Sequence, residues 1–354
     1  MGVFIAMYIF FGLVYLISRI IRNLQRKKIF ICFSCFFVLW LILALRDVSI
    51  GVDLLQGYIP KWDNFSGSIS DVFYFDEYGR EIGWQLYFHL VKVIIGDNFN
   101  LFLAITAFLT LFPIAIFIKR YSVNPLLSII IYSSFILYHF SFSGLRQALA
   151  IGITTIGYFY VVEKKLIPFL LCVLSAYLIH KSSILFIIVY PLCNIDIKRW
   201  VYILLLAVWL LSLFSLRTII GYLTSFLFSE TSYNEYVISG SGSYMLMILY
   251  LLFFLMTFLI RVSPYDKTSK HFSILMLLML FSQSIGLVTY AAARISFYYL
   301  PFLALMLPQF SNSYDRTSRK IINVCIVIFM IFFFFYNNSD GYLDVIPYKF
   351  FWQP

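Results

Sequence analysis

The sequence predicts an all-helical, polytopic membrane protein, on three observations. Hydrophobic residues make up 62% of the 354 residues and charged residues 12%, against roughly 45–50% apolar and 25% charged in soluble domains. Apolar runs of span length recur along the whole chain, leaving no room for a sizeable soluble domain. They are continuous rather than alternating, which excludes an outer-membrane barrel. The net charge of +10 is sorted between alternate loops, so it is an orientation signal rather than a nucleic-acid one.

About twelve spans satisfy hydropathy and charge together: 3–19, 29–45, 100–118, 126–143, 147–162, 166–179, 183–194, 200–216, 243–260, 272–290, 295–310 and 321–336. They form one integral membrane domain, 1–354. The first run, Gly2 to Leu16, has no basic leader and no small-residue cleavage site, so it reads as a span rather than a signal peptide. Loops containing Arg19 to Lys28, Lys119–Arg120, Glu163–Lys165, Asp196–Arg199, Arg261–His271 and Asp315–Lys320 hold 17 of the 26 Lys/Arg and four of the 16 acids. Such loops are expected on the cytoplasmic side, which leaves both termini outside. Spans 166–179 and 183–194 fall short of the roughly 20 residues a crossing needs. They read as a hairpin whose polar tip, His180-Lys181-Ser182, stops below the outer surface.

Three outward segments follow from that sorting. Residues 46–99 contain seven acids between Asp47 and Glu81, then an apolar stretch, Ile82 to Ile95, broken by His89 and Lys92. That stretch is expected in the interface plane or as a re-entrant helix. Residues 217–242, with Glu230, Tyr233, Glu235 and a Ser/Gly run, could cover a site as a lid. The tail 337–354 carries Tyr342, Tyr348, Phe350, Phe351 and Trp352, which suit the headgroup region. The first two are expected to lie over the site.

Arg46, Arg146 and Arg294 each adjoin a long apolar run on the expected outer side. Cations there oppose the usual bias, and ionisable groups near membrane depth are costly and commonly functional. In the stretch Arg46 to Asp53, the guanidinium can fork onto a phosphate, Gly51 permits a turn, and Asp53 could point back at the site. Snorkelling and a solvated acid are the plain alternative. Glu81, in Glu81-Ile82-Gly83, is either a desolvated base or a cap for the following helix. Arg146, in Ser143-Gly144-Leu145-Arg146-Gln147, sits near a helix N-terminus where free N–H groups and the dipole favour an anion. His180 is a candidate proton shuttle or anion donor, with a helix cap beside a snorkelled Lys181 as the alternative. Arg294 follows small alanines, and Tyr290, Tyr298 and Tyr299 could stack on a sugar or simply belong to the interface.

His89, His139 and His271 read as packing residues, as do Cys32, Cys35, Cys172, Cys193 and Cys325. The chain contains no Gly-rich phosphate loop, H-E-x-x-H or Gly-x-Ser-x-Gly, and no Asp-x-Asp in an outward loop. No metal or cofactor is therefore expected. An enzyme of this kind would need a donor already activated and delivered by the membrane.

Arg46 with Gly51-x-Asp53, Glu81-x-Gly83, Leu145-Arg146-Gln147, His180-Lys181-Ser182 and Arg294 with Tyr298 occur in the order seen in EpsG-like polysaccharide polymerases, which the chain resembles from about residue 40 to Pro347. The resemblance implies a Wzy-type polymerase of O-antigen, capsule or exopolysaccharide repeats in the bacterial cytoplasmic membrane, similar in fold to GT-C glycosyltransferases. It implies transfer of the growing glycan from one undecaprenyl diphosphate to the non-reducing-end hydroxyl of another lipid-linked repeat, on the outer face. Arg46, Arg146, Arg294 and Lys181 would hold the diphosphate. Asp53, Glu81 or His180 would take the acceptor proton, and Gln147, Tyr290, Tyr298 and Tyr299 would contact sugar. The implied partners are undecaprenyl-diphosphate-linked glycans and membrane lipid, with a chain-length regulator and flippase of the same pathway, and no nucleic acid.

Two other classes compete. A flippase for the same lipids would place its site near the midplane, often between internal repeats, whereas the unusual charges here lie at one face and no repeat is visible. A membrane O-acyltransferase would want an essential His with a partner acid and a cytoplasmic donor, and His180 falls on the other side.

Overall fold

The computed structural model describes residues 1–65, 72–73, 81–227, 243–261, 268–288, 290–339 and 345–353. Among them the chain is helical, with one isolated bridge between Arg46 and Phe350. The helices are α1 (Gly2–Ser18), α2 (Leu24–Ala44), α3 (Ile59–Asn64), α4 (Ile82–Ile95), α5 (Phe99–Tyr121), α6 (Pro125–Ser134), α7 (Ile136–Phe140), α8 (Leu145–Val162), α9 (Leu166–Ile179), α10 (Val189–Asn194) and α11 (Arg199–Leu227). Then come α12 (Tyr244–Thr257), α13 (Phe272–Ile285), α14 (Tyr290–Ala293), α15 (Leu300–Asn312) and α16 (Arg316–Asn337). Helix starts follow capping chemistry. Asn23, Asn98 and Asn124 each accept an N–H from the first turn of α2, α5 and α6, and Asp315 accepts two from α16.

Each of the twelve apolar runs contains helix, and the protein is a membrane protein by its apolar helices. Among the described residues, α2, α5, α8 and α16 are long and apolar enough to cross a bilayer, and the remaining apolar helices are shorter. α11 continues to Leu227, so the start of segment 217–242 extends a helix, and its remainder lies outside the described residues. So do residues 66–71 and 74–80 of the acidic stretch, with Asp71, Asp76 and Glu77, and the side chain of Tyr290.

The inner helices are α6 and α15, which pack on each other. Nine of the ten residues of α6 and 11 of the 13 of α15 are buried. Apolarity all round is what a helix enclosed on every side requires. Peripheral helices keep apolar outer faces, such as Ile5, Ile9 and Leu16 of α1, as expected where lipid replaces water.

A second apolar cluster forms a roof over one end of the bundle. Trp62 of α3, Trp84, Phe88 and Val91 of α4 and Phe102 of α5 pack there with Leu145 and Leu149 of α8. Lys92 clamps this roof: its ammonium donates to the Trp62 carbonyl, lies 5.2 Å from the Trp62 ring centroid and pairs with Asp97 at 3.1 Å. α4 therefore occupies the expected bounds 82–95, and it packs against α5 and α9.

Two glycines set the close approaches that build this end. A Cβ on Gly83, in the first turn of α4, would lie 2.7 Å from Leu178 Cβ and 2.8 Å from the Leu178 carbonyl, so only glycine lets α4 touch the end of α9. Gly51 has φ +106°, a left-handed region that suits glycine, and a Cβ there would clash with the Phe142 carbonyl oxygen.

Candidate active site

The helical winding becomes irregular where the motif residues lie. A π-helical turn, Leu54–Tyr58, begins directly after Asp53. Stretches of 3-10 helix, Lys181–Ile188 and Arg294–Tyr299, follow His180 and Ala293 before α10 and α15 resume. Such departures from α geometry often mark functional positions. The last two are tied together by a 3.0 Å hydrogen bond between the Ser182 and Tyr298 hydroxyls.

Glu81 is the hub. Its carboxylate is 6% exposed and meets three donors from two other parts of the chain. Arg146 Nη1 donates to Oε2 at 2.7 Å, the Lys181 backbone N–H donates to Oε1 at 3.0 Å, and His180 Nδ1 lies 2.9 Å from Oε1. The His180 contact is short but poorly directed for a hydrogen bond. Glu81-x-Gly83 thereby acquires a physical reason: Gly83 brings α4 against Leu178, and that places Glu81 beside the turn that follows α9.

Burial alone would raise the Glu81 pKa, but the His180 contact, the Arg146 charge and the Lys181 N–H outweigh it and hold the carboxyl below its ordinary value. A depressed folded-state pKa adds stability above the unfolded pKa, and that stability disappears as pH falls through the folded value. Detergent-solubilised protein should therefore lose thermal stability below about pH 4.3, the ordinary glutamate value. Glu81→Gln should flatten that fall, and parallel wild-type and variant curves from pH 3 to 7, on melts read by intrinsic fluorescence, would remove Glu81 from this role.

Arg146 stands in the first turn of α8, and its side chain stays 30% exposed after it engages Glu81. Its backbone N–H approaches the hydroxyl of Tyr58 at 3.5 Å. Gln147, 2% exposed, donates to the Arg294 carbonyl at 2.7 Å and so fixes the 3-10 turn against α8. The Arg294 guanidinium carbon lies 5.5 Å from the Phe140 ring centroid, and its side chain is half-buried. The Lys181 side chain is exposed.

Four of the sequence-level candidates thus meet around one carboxylate: Glu81, Arg146, His180 and Lys181. Gln147 and Arg294 join through a backbone carbonyl. Arg46 is placed differently. It is 1% exposed, donates to the Leu43 and Phe142 carbonyls at 2.8 and 3.1 Å, and packs 5.1 Å from the Phe142 ring centroid. It clamps the end of α2 to the turn before α8. Tyr298 and Tyr299 are 1% and 2% exposed, so they stiffen the Arg294 segment and present no ring face at the surface. Asp53 is half-buried, and among the described residues no side-chain partner engages its carboxylate.

Sequence reasoning passed over Tyr58, which packs edge-on to Trp84 at 5.7 Å and carries the hydroxyl beside Arg146. Nothing in its neighbourhood distinguishes it from other interfacial tyrosines. His139 and His271 are buried in the bundle, where His271 Nδ1 meets the Tyr158 hydroxyl at 2.8 Å, and His89 packs against Phe65. All five cysteines are free.

The fold and this ion-paired cluster define an all-helical membrane protein with a polar centre built at one end. The EpsG family model matches residues 28–350, nearly the whole chain, and the protein belongs to the EpsG family. No curated protein and no solved structure matches it significantly.

Proposed function

We propose that this protein polymerises lipid-linked oligosaccharide repeats by a Wzy-type reaction at the outer face of the bacterial cytoplasmic membrane. The observation that carries the reading is the meeting of Arg146, His180 and Lys181, from two separated segments, around the buried Glu81 carboxylate, with Arg146 still partly exposed. Membership of the EpsG family supports it. The donor is the growing glycan on undecaprenyl diphosphate, and the acceptor is a hydroxyl at the non-reducing end of a second lipid-linked repeat.

In the reaction, the acceptor oxygen bonds to the donor's anomeric carbon while the bond from that carbon to the diphosphate oxygen breaks. The departing diphosphate takes the electron pair, and Arg146, Arg294 and Lys181 stabilise its growing charge. Asp53 takes the acceptor proton, because among the described residues no side chain engages its carboxylate, whereas Glu81 accepts from Arg146 and the Lys181 N–H and lies against His180. Glu81 orients Arg146 and the His180 turn. Arg46 holds the framework between α2 and α8 rather than the diphosphate.

The test is extension of a purified lipid-diphosphate repeat by the purified protein, with no nucleotide sugar or metal added. Longer glycans and released undecaprenyl diphosphate are expected, and Asp53→Asn should stop extension without weakening binding of the lipid. Outward movement of the lipid-linked repeat in proteoliposomes, without extension, would identify a flippase instead.

A further inference from the structure

α15 starts at Leu300, directly after the Arg294 turn, and runs 13 residues away from it, about 20 Å at 1.5 Å per residue. At its far end lies a polar cavity of about 450 Å³ whose walls include Arg261, Gln309, Asn312, Asp315 and Arg319. The reaction above makes no use of it. Its size falls within the roughly 300–1,000 Å³ of small-molecule sites.

Gln309 is the informative wall residue. It is 8% exposed, lines the cavity, and its Oε1 has no hydrogen-bond partner. A buried amide oxygen left without a donor costs about 1–3 kcal/mol, so a group that supplies an N–H or O–H there is favoured. Two cations flank the cavity. Arg319 is held in place because Nη2 donates to the carbonyls of Asn312 and Tyr314 at 3.2 and 3.1 Å, and its Nε is buried without a partner. Arg261 is exposed; its backbone N–H donates to Ser313 Oγ at 2.9 Å, and among the described residues its guanidinium has no ion pair. Asp315 offsets one of these charges. Its Oδ2 is occupied in capping α16 through the Thr317 and Ser318 N–H groups.

We infer that this cavity is a second binding site, for a phosphate ester that also carries a hydroxyl. The phosphate lies against Arg261 and Arg319, whose planar forks suit it, and the hydroxyl donates to Gln309 Oε1. A bare anion supplies no donor to Gln309, and an uncharged polyol leaves one of the two guanidinium charges without an offset. The same chemistry is offered by a soluble sugar or glycerol phosphate and by a phospholipid headgroup with a free hydroxyl. In the proposed orientation this end faces the cytoplasm, where both occur. Binding there does not depend on the polymerase reading, since none of these residues belongs to the reaction site.

The experiment uses the full chain in nanodiscs of phosphatidylcholine. Glycerol 3-phosphate, inorganic phosphate and glycerol are titrated by calorimetry, and melts are compared with nanodiscs containing phosphatidylglycerol. Saturable binding of glycerol 3-phosphate, weakened about tenfold or more in Arg261→Ala and in Gln309→Leu, is the expected result and identifies a soluble ligand. A rise in melting temperature with phosphatidylglycerol alone, lost in the same variants, supports the site with a lipid headgroup as its occupant. Arg261 is at the surface, so its variant decides the matter even if Gln309→Leu folds poorly. Equal affinity for inorganic phosphate and glycerol 3-phosphate, binding that survives both substitutions, or no response to any probe overturns the inference.

Discussion

Replacing Arg146 by alanine should abolish chain extension while single lipid-linked repeats still form and reach the outer face. Arg146 touches the Glu81 hub and keeps 30% of its side chain exposed. Removing a donor aimed at charge that develops in the transition state typically lowers kcat about 10²–10³-fold. The substitution also leaves Glu81 with the Lys181 N–H and His180 as its remaining contacts, a loss of roughly 1–3 kcal/mol. The double variant Arg146→Ala/Glu81→Gln separates the two effects, because it removes the unpaired charge. Stability should recover in it and extension should not. Recovery of extension would make Arg146 a purely structural partner of Glu81.

Gly83→Ala should be a strongly disruptive single-methyl change at this end of the molecule. The added carbon would lie within 2.8 Å of the Leu178 backbone, which cannot swing aside as a side-chain tip could. Overpacking of this kind costs about 1–3 kcal/mol. Pushing α4 off α9 also draws Glu81 away from the Lys181 N–H, so extension should fall along with the melting temperature. Gly57→Ala is the control: a Cβ there would meet nothing within 4 Å, so a neutral or slightly raised melting temperature is expected. Equal effects at the two glycines would show that the α4–α9 approach has no special role.

Much of this arrangement was legible in the sequence. The bounds of α4 follow from an apolar stretch between Glu81 and Gly96, and the observed helix is Ile82–Ile95. The pairing of Glu81 with Gly83 was visible too, but its reason was not, because Leu178 lies far along the chain and only the fold brings it near. The Lys181 contact was hidden for another cause: it is made by a backbone N–H, which every residue but proline carries. Arg46 shows the limit of reading cations by position. An arginine at a span end can serve an external anion or internal carbonyls, and the Phe142 carbonyl that engages it belongs to a turn whose placement no local pattern reveals. Tyr298 and Tyr299 carried the same ambiguity, since stacking on a sugar and packing in a core call for the same residue type.

The Arg146–Glu81 ion pair has a consequence for how cargo arrives. Under the proposed function, a diphosphate that settles on the open part of this arginine would share it with a carboxylate already in residence, so docking would loosen the hold on Glu81. Glu81 is joined through α4 to the Lys92 clamp and the Trp62 cluster. Arrival of the headgroup would thus tug on the whole aromatic canopy, and departure of the spent carrier would let it settle back.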